Sequence, residues 1–202
     1  MERHVMWSPW AGPGLEHLYL LQQQEGIVAD GLILGVQEQA PFRVHYEIHC
    51  DLQWRLRAVH LSLLSGSSQS LHLLTDGEGF WTTESGETIP WLNGCLDVDI
   101  SATPFTNTLP IRRLALQPSS SATLSMVYIA VPQMQVEVTQ QRYTCLEIAP
   151  SGGRYRFESL TNGVSRFTAE LPVDRDGLVV DYPGLFRRVG TWEVIQRSSL
   201  TS

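Results

Sequence analysis

The amino-acid sequence predicts a mainly β fold built on one large antiparallel sheet, closed or rolled on itself. Three observations lead there. Apolar and polar residues alternate in short runs, turn-forming residues separate the runs at intervals of about 8–12 residues, and helical periodicity is scarce. The punctuation is Asp76-Gly77, Asn93-Gly94, Ser151-Gly152-Gly153, Asn162-Gly163 and Asp176-Gly177. Each supplies a residue that tolerates the tight backbone of a turn.

Taken in order, Gly14 to Gln24 has room for a helical turn or two. Ile27 to Val36 reads as strand interrupted by a turn at Asp30-Gly31. Arg43 to Leu56 is the clearest strand pattern: Val44, Tyr46, Ile48, Cys50, Leu52, Trp54 and Leu56 share one parity, and the polar residues between them share the other. A two-residue period puts these sets on opposite faces. The run is long for one strand, so a break is expected near Cys50–Gln53. Beyond Arg57 the apolar parity moves to Val59, Leu61 and Leu63, which predicts a bulge or corner. Further strands are expected at Ser70–Leu74, Gly79–Thr83, Leu96–Ile100, Leu114–Gln117, Ala122–Val131, Gln135–Thr139, Tyr143–Ile148, Tyr155–Ser159, Ser165–Leu171 and Val179–Tyr182. Thr106 to Leu114 is the better helix candidate. Thr108 can cap it, Pro110 falls in the first turn where a missing N–H does no harm, and Arg112 and Arg113 sit near the C-terminus, where the helix dipole favours cations.

No linker composition divides the chain, so residues 1–202 read as one domain. With 202 residues and a net charge of −7, a core can form without disulfides or metals and a nucleic-acid partner is not expected. All 14 basic residues are arginine, which excludes Schiff-base lysines and lysine phosphate loops. Cys50, Cys95 and Cys145 are far apart and each sits within or beside apolar residues, as expected of buried, reduced thiols in a cytoplasmic protein. The N-terminus carries no apolar signal segment and no run is long enough to span a bilayer.

Candidate chemistry concentrates in Gly94–Leu114, where alternating apolar and acidic residues give way to Thr, Asn and two prolines. Asp97 and Asp99 share a strand face at a Cα separation of about 6.5–7 Å, near the carboxylate spacing of inverting glycosidases. Pairing of these aspartates with Arg112 or Arg113 is the more economical reading. A hydrolase acting on a sugar or lipid ester through Asp97, Asp99 or Glu147 is the alternative. His45, Glu47, His49 and Asp51 share a face, but same-face neighbours stand side by side rather than converging, so no metal is expected. Trp81 and Trp91 flank a polar loop where an aromatic ring could stack on sugar or acyl chain. No phosphate loop, catalytic triad or cysteine nucleophile signature is present, and no cofactor is implied.

The strings Ile27-Val28-Ala29-Asp30-Gly31, Asp76-Gly77-Glu78-Gly79 with Trp81, the whole of Gly94–Leu114, Arg142-Tyr143-Thr144-Cys145-Leu146-Glu147, and Asp176 through Arg188 resemble the bacterial glycolipid-binding family, formerly a domain of unknown function. The resemblance covers nearly the full length. It implies a spiral β-roll, in which a long antiparallel sheet wraps around a single helix, and a homodimer. It implies a non-enzymatic binding protein for a glycolipid or lipid-like ligand held inside the roll. On that reading Asn107, Arg112, Arg113, Tyr182 and Arg187, with Trp81 and Trp91, are the ligand-binding candidates, the arginines meeting a polar head. A structural or interaction protein, its roll filled by its own helix and the dimer its functional unit, reads the same in sequence.

Overall fold

The computed structural model describes residues 1–66 and 69–194, and within them the chain is mainly β. Seven strands come first: β1 (Glu2–Pro9), β2 (Leu15–Gln22), β3 (Ile27–Gln37), β4 (Ala40–Cys50), β5 (Leu56–Leu63), β6 (Gln69–Thr75) and β7 (Trp81–Thr83). They pair consecutively and antiparallel. Next come β8 (Asp97–Ile100), α1 (Thr108–Leu114), β9 (Ser121–Ala130), β10 (Gln135–Ala149), β11 (Gly152–Thr161) and β12 (Val164–Asp174), then β13 (Asp181–Tyr182) and β14 (Phe186–Glu193). The last two return to β1, giving a nine-stranded sheet in the order β13-β14-β1-β2-β3-β4-β5-β6-β7. The second sheet has five strands, β12-β11-β10-β9-β8. The sheets do not merge into a closed barrel.

One pairing, β8 with β9, is parallel. Parallel neighbours require a crossover, because a tight hairpin cannot reverse the chain twice. The crossover here is the segment carrying α1, which is why the helix lies where the sheets meet. Phe105 and Leu109 pack into the core of the nine-stranded sheet with Trp7, Leu18, Tyr46 and Leu61. Ile111 faces the other way, into a second cluster with Tyr143, Tyr155, Phe157 and Leu171 of the small sheet. The long antiparallel sheet and single helix expected of a β-roll are both present.

The far corner is clamped by polar groups. Val179 bridges Val173, and the Val180 amide donates to the Pro172 carbonyl at 2.8 Å, so the β13 end of the large sheet abuts β12. Arg188 Nη1 holds Asp174 at 2.6 Å, and its Nη2 donates to the Leu178 and Val179 carbonyls.

Several local expectations change in three dimensions. Gly14–Gln24 contains strand β2 rather than a helical turn. Asp30-Gly31 is not a turn but the middle of β3, because Gly31 lies directly under the Tyr46 ring of β4 and only a residue without Cβ fits there. Gln135–Thr139 and Tyr143–Ile148 fuse into β10. Leu114–Gln117 leaves the helix through a left-handed Ala115 and forms no strand. The break near Cys50–Gln53 is present: a bulge follows His49, and Asp51 Oδ1 accepts the amides of Gln53 and Arg55 at 2.9 Å. Asn107, not Thr108, precedes the helix, and the Thr108 hydroxyl donates instead to the Gly177 carbonyl at 3.0 Å.

Candidate functional site: a two-part groove between the sheets

Two open grooves meet between the sheets. The first, of about 380 Å³, runs between β1–β4 and the β8–β9 side, walled by Trp7, Ile33, Val36, Phe42, Ala102 and Val131. The second, of about 450 Å³, runs between the β13–β14 corner and the small sheet. Ser101, Tyr128 and Phe186 belong to both walls, so the grooves adjoin.

The polar feature of the first groove is Glu16. Its place on β2 has the parity of Leu18 and Leu20, so the backbone turns it inward with them. It is 3% exposed. Its Oε1 accepts two hydrogen bonds, from the Tyr46 hydroxyl and from the Thr103 hydroxyl, each at 2.6 Å. Its Oε2 is buried without a partner. Burial pushes the carboxyl up to about 7, and the two donated hydrogen bonds only partly oppose the rise.

The second groove is aromatic and rich in hydrogen-bonding groups. Phe157 and Tyr182 meet edge-on at 5.9 Å, with Phe167 and Phe186 at 6.2 and 6.4 Å from Tyr182. Beside them runs a polar chain. Thr106 donates to Asp99 Oδ1 at 3.2 Å, and Gln141 Nε2 to Asp99 Oδ2 at 2.5 Å. The Tyr143 hydroxyl lies 2.9 Å from Asn107 Oδ1 and 3.2 Å from Gln141 Oε1. Burial raises the Asp99 carboxyl above its ordinary value, and the Gln141 and Thr106 donors hold it back. The Thr139 hydroxyl on the same wall is buried and has no partner.

Of the residues singled out from sequence, Asp99, Asn107 and Tyr182 come together here. The others lie elsewhere. Asp97 is fully buried and held by Arg113, Nη2 to Oδ2 at 2.5 Å and Nε to Oδ1 at 3.1 Å. Burial raises the Asp97 carboxyl and the guanidinium opposes it. The ion pair uses up both groups, so Asp97 and Asp99 do not stand as a free carboxylate pair and Arg113 is not free for a headgroup. Arg112 stacks over Trp54 at 5.5 Å and Arg187 over Trp10 at 5.4 Å. Trp81 is core, its indole N–H on the Cys95 carbonyl at 2.9 Å. Trp91 is exposed outside both grooves. Glu147 is exposed and 3.4 Å from Arg154.

Glu16, Thr139, Gln141 and the Phe157–Phe167 pair were not singled out. Glu16 did leave a signal: a carboxylate in step with Leu18 and Leu20. A helical reading of Gly14–Gln24 hides it. Among the described residues no three His, Cys, Asp or Glu side chains converge as a metal site, and no helix is long and apolar enough to cross a membrane.

Residues 4–188 match the family model described as "Putative glycolipid-binding". A crystal structure of a DUF1089 family protein from Pseudomonas aeruginosa superposes with a TM-score of 0.75 at 37% identity, covering 89% of this chain and 95% of that one. No curated protein matches the chain significantly.

Proposed function

The chain belongs to the "Putative glycolipid-binding" family, and on that premise we propose that it binds a single-chain, sugar-headed amphiphile along the joined grooves without turning it over. The observation that carries this is the division of the groove. One part is walled mainly by aliphatic and aromatic side chains, with Glu16, Gln37 and Gln133 among them; the other sets a cluster of ring faces beside carboxamide, carboxylate and hydroxyl groups. An acyl chain gains roughly 0.8 kcal/mol for each methylene removed from water, which suits the first part. A sugar offers C–H faces to aromatic rings and hydroxyls to Asn, Gln, Asp and Thr, which suits the second. The unpaired Thr139 hydroxyl is costly in the empty protein and is satisfied by a headgroup hydroxyl.

Titration with ester- and ether-linked dodecyl glucose amphiphiles, followed by native mass spectrometry and thermal shift, tests the reading. The expected result is a one-to-one complex and a raised melting temperature, with glucose alone giving neither. Ala102→Trp, which fills the apolar part, abolishes the complex. Absence of binding by every amphiphile, or undiminished binding to the Ala102→Trp protein, overturns it.

A further inference from the structure

We infer that Glu16 Oε2 is a hydrogen-bond donor to the carbonyl of an acyl linkage, so that the groove takes sugar or polyol compounds whose chain is attached as an ester or amide and discriminates against ether-linked ones. The inference rests on the amphiphile reading above and deepens it.

The geometry assigns the proton. Oε1 already accepts from both Tyr46 and Thr103, so it is the carbonyl-like oxygen. A proton on this carboxyl therefore resides on Oε2, the buried oxygen without a protein partner, on a side chain that lines the first groove. A neutral carboxylic acid there has a hydrogen to give and no protein acceptor for it. An alkyl chain cannot satisfy it; a carbonyl oxygen can.

The position selects which carbonyl. Thr103, whose hydroxyl donates to Glu16, also lines the second groove, and its hydroxyl in turn accepts the Phe105 amide at 2.9 Å. Glu16 thus stands at the junction, where a bound chain would give way to its headgroup. In an acyl lipid the linkage carbonyl occupies that point. In an ether the point carries an oxygen that accepts hydrogen bonds far more weakly.

Burial among uncharged neighbours keeps the acid form. Tyr46 from β4 and Thr103 from the 101–104 turn donate to Glu16 and only partly oppose it; Trp7 of β1 and Ile33 of β3, its cross-strand neighbours, are neutral. The other titratable groups along the joined grooves all lie on the second: Tyr128 and Tyr182, both raised by burial, Asp99, which is engaged by Gln141 and Thr106, and the Glu137 carboxylate. The Tyr46 hydroxyl is itself held well above the usual phenol range, so it stays a donor. Once ionised, Oε2 turns a lone pair toward the ligand carbonyl and repels it.

The test compares dissociation constants for 6-O-dodecanoyl glucose and 6-O-dodecyl glucose at pH 6 and pH 8. Wild-type protein is expected to prefer the ester by about tenfold or more at pH 6 and to lose the preference at pH 8. Glu16→Gln, whose amide keeps the acceptor for Tyr46 and Thr103 and donates at every pH, retains the preference at both. Glu16→Leu abolishes it while still binding the ether. Equal affinity for ester and ether in wild-type protein at pH 6 overturns this inference and leaves the amphiphile reading standing. Persistence of the ester preference in a folded Glu16→Leu protein does the same. Failure of both compounds to bind overturns the two together.

Discussion

The Tyr46 ring crosses the β3 backbone at Gly31, and this crossing lets its hydroxyl reach Glu16. The two residues are cross-strand partners, and any Cβ at Gly31 would fall within the ring. A glycine in a central strand weakens the strand by itself. Here it admits a buried phenol that holds one oxygen of a buried acid.

Gly31→Ala is therefore expected to push Tyr46 aside and cost about 1–3 kcal/mol by overpacking. Chemical denaturation measures the loss. Loss of the Tyr46 donor also raises the Glu16 carboxyl further, moving the pH midpoint of ester binding upward. A midpoint and stability equal to wild type would contradict the arrangement.

Glu16 gives stability a distinctive pH dependence. Its folded value is about 7 against an ordinary 4.5, so between those values the folded state binds more protons than the unfolded. Stability is then fully present below about pH 4.5, falls as pH rises to about 7, and is flat above. The drop is on the order of 3 kcal/mol. Glu16→Gln removes this component, so the difference between the two proteins' unfolding free energies is expected to grow over that window and then level off. A difference that does not vary with pH would refute it.

The Asp97–Arg113 pair is buried on both sides. Arg113→Met leaves Asp97 charged and unpartnered and is expected to cost about 3–5 kcal/mol. Adding Asp97→Leu removes the orphaned charge and recovers most of that loss. Urea denaturation of the two single variants and the double variant reads the coupling directly.

Thr139→Val removes an unpaired buried hydroxyl. The substitution is expected to leave stability unchanged or raise it by about 1 kcal/mol, while weakening binding of sugar-headed amphiphiles. Stability lowered together with unchanged binding would place the hydroxyl in the fold rather than in ligand contact.

Cys50, Cys95 and Cys145 are all buried free thiols. Burial raises the Cys50 thiol well above its usual range and pushes Cys95 up to about 11. Ellman's reagent at pH 8 is expected to label none of them in the native protein and all three in guanidinium chloride. Rapid native labelling would show an opening that reaches the core.

How much of this was legible in the sequence varies element by element. The β4–β5 unit was plain, because strict alternation from Phe42 to Cys50 ends at an aspartate that caps its own turn. Strand β2 was not. Leu15-Glu16-His17-Leu18-Tyr19-Leu20 satisfies helical spacing almost as well as strand spacing, and its pairing with β1 and β3 decides between them. Asp30-Gly31 carries the local signature of a turn, and the ring that overrides it comes from the next strand. The likelihood of an aspartate–arginine pair could be read from Gly94–Leu114; that Arg113 rather than Arg112 makes it, and Asp97 rather than Asp99 receives it, depends on how the helix packs.

The order of residues by itself determined the period-two pattern, the chain reversals and the family likeness, since each depends on near neighbours along the chain. It did not determine which carboxyl keeps its proton. Glu16 acquires that property from the water both sheets exclude around it, against the donors Tyr46, 30 residues away, and Thr103, 87 residues away, which only partly oppose it. Desolvation is a property of enclosing volume rather than of sequence, so the groove and the buried Glu16 acid exist only once the roll has formed.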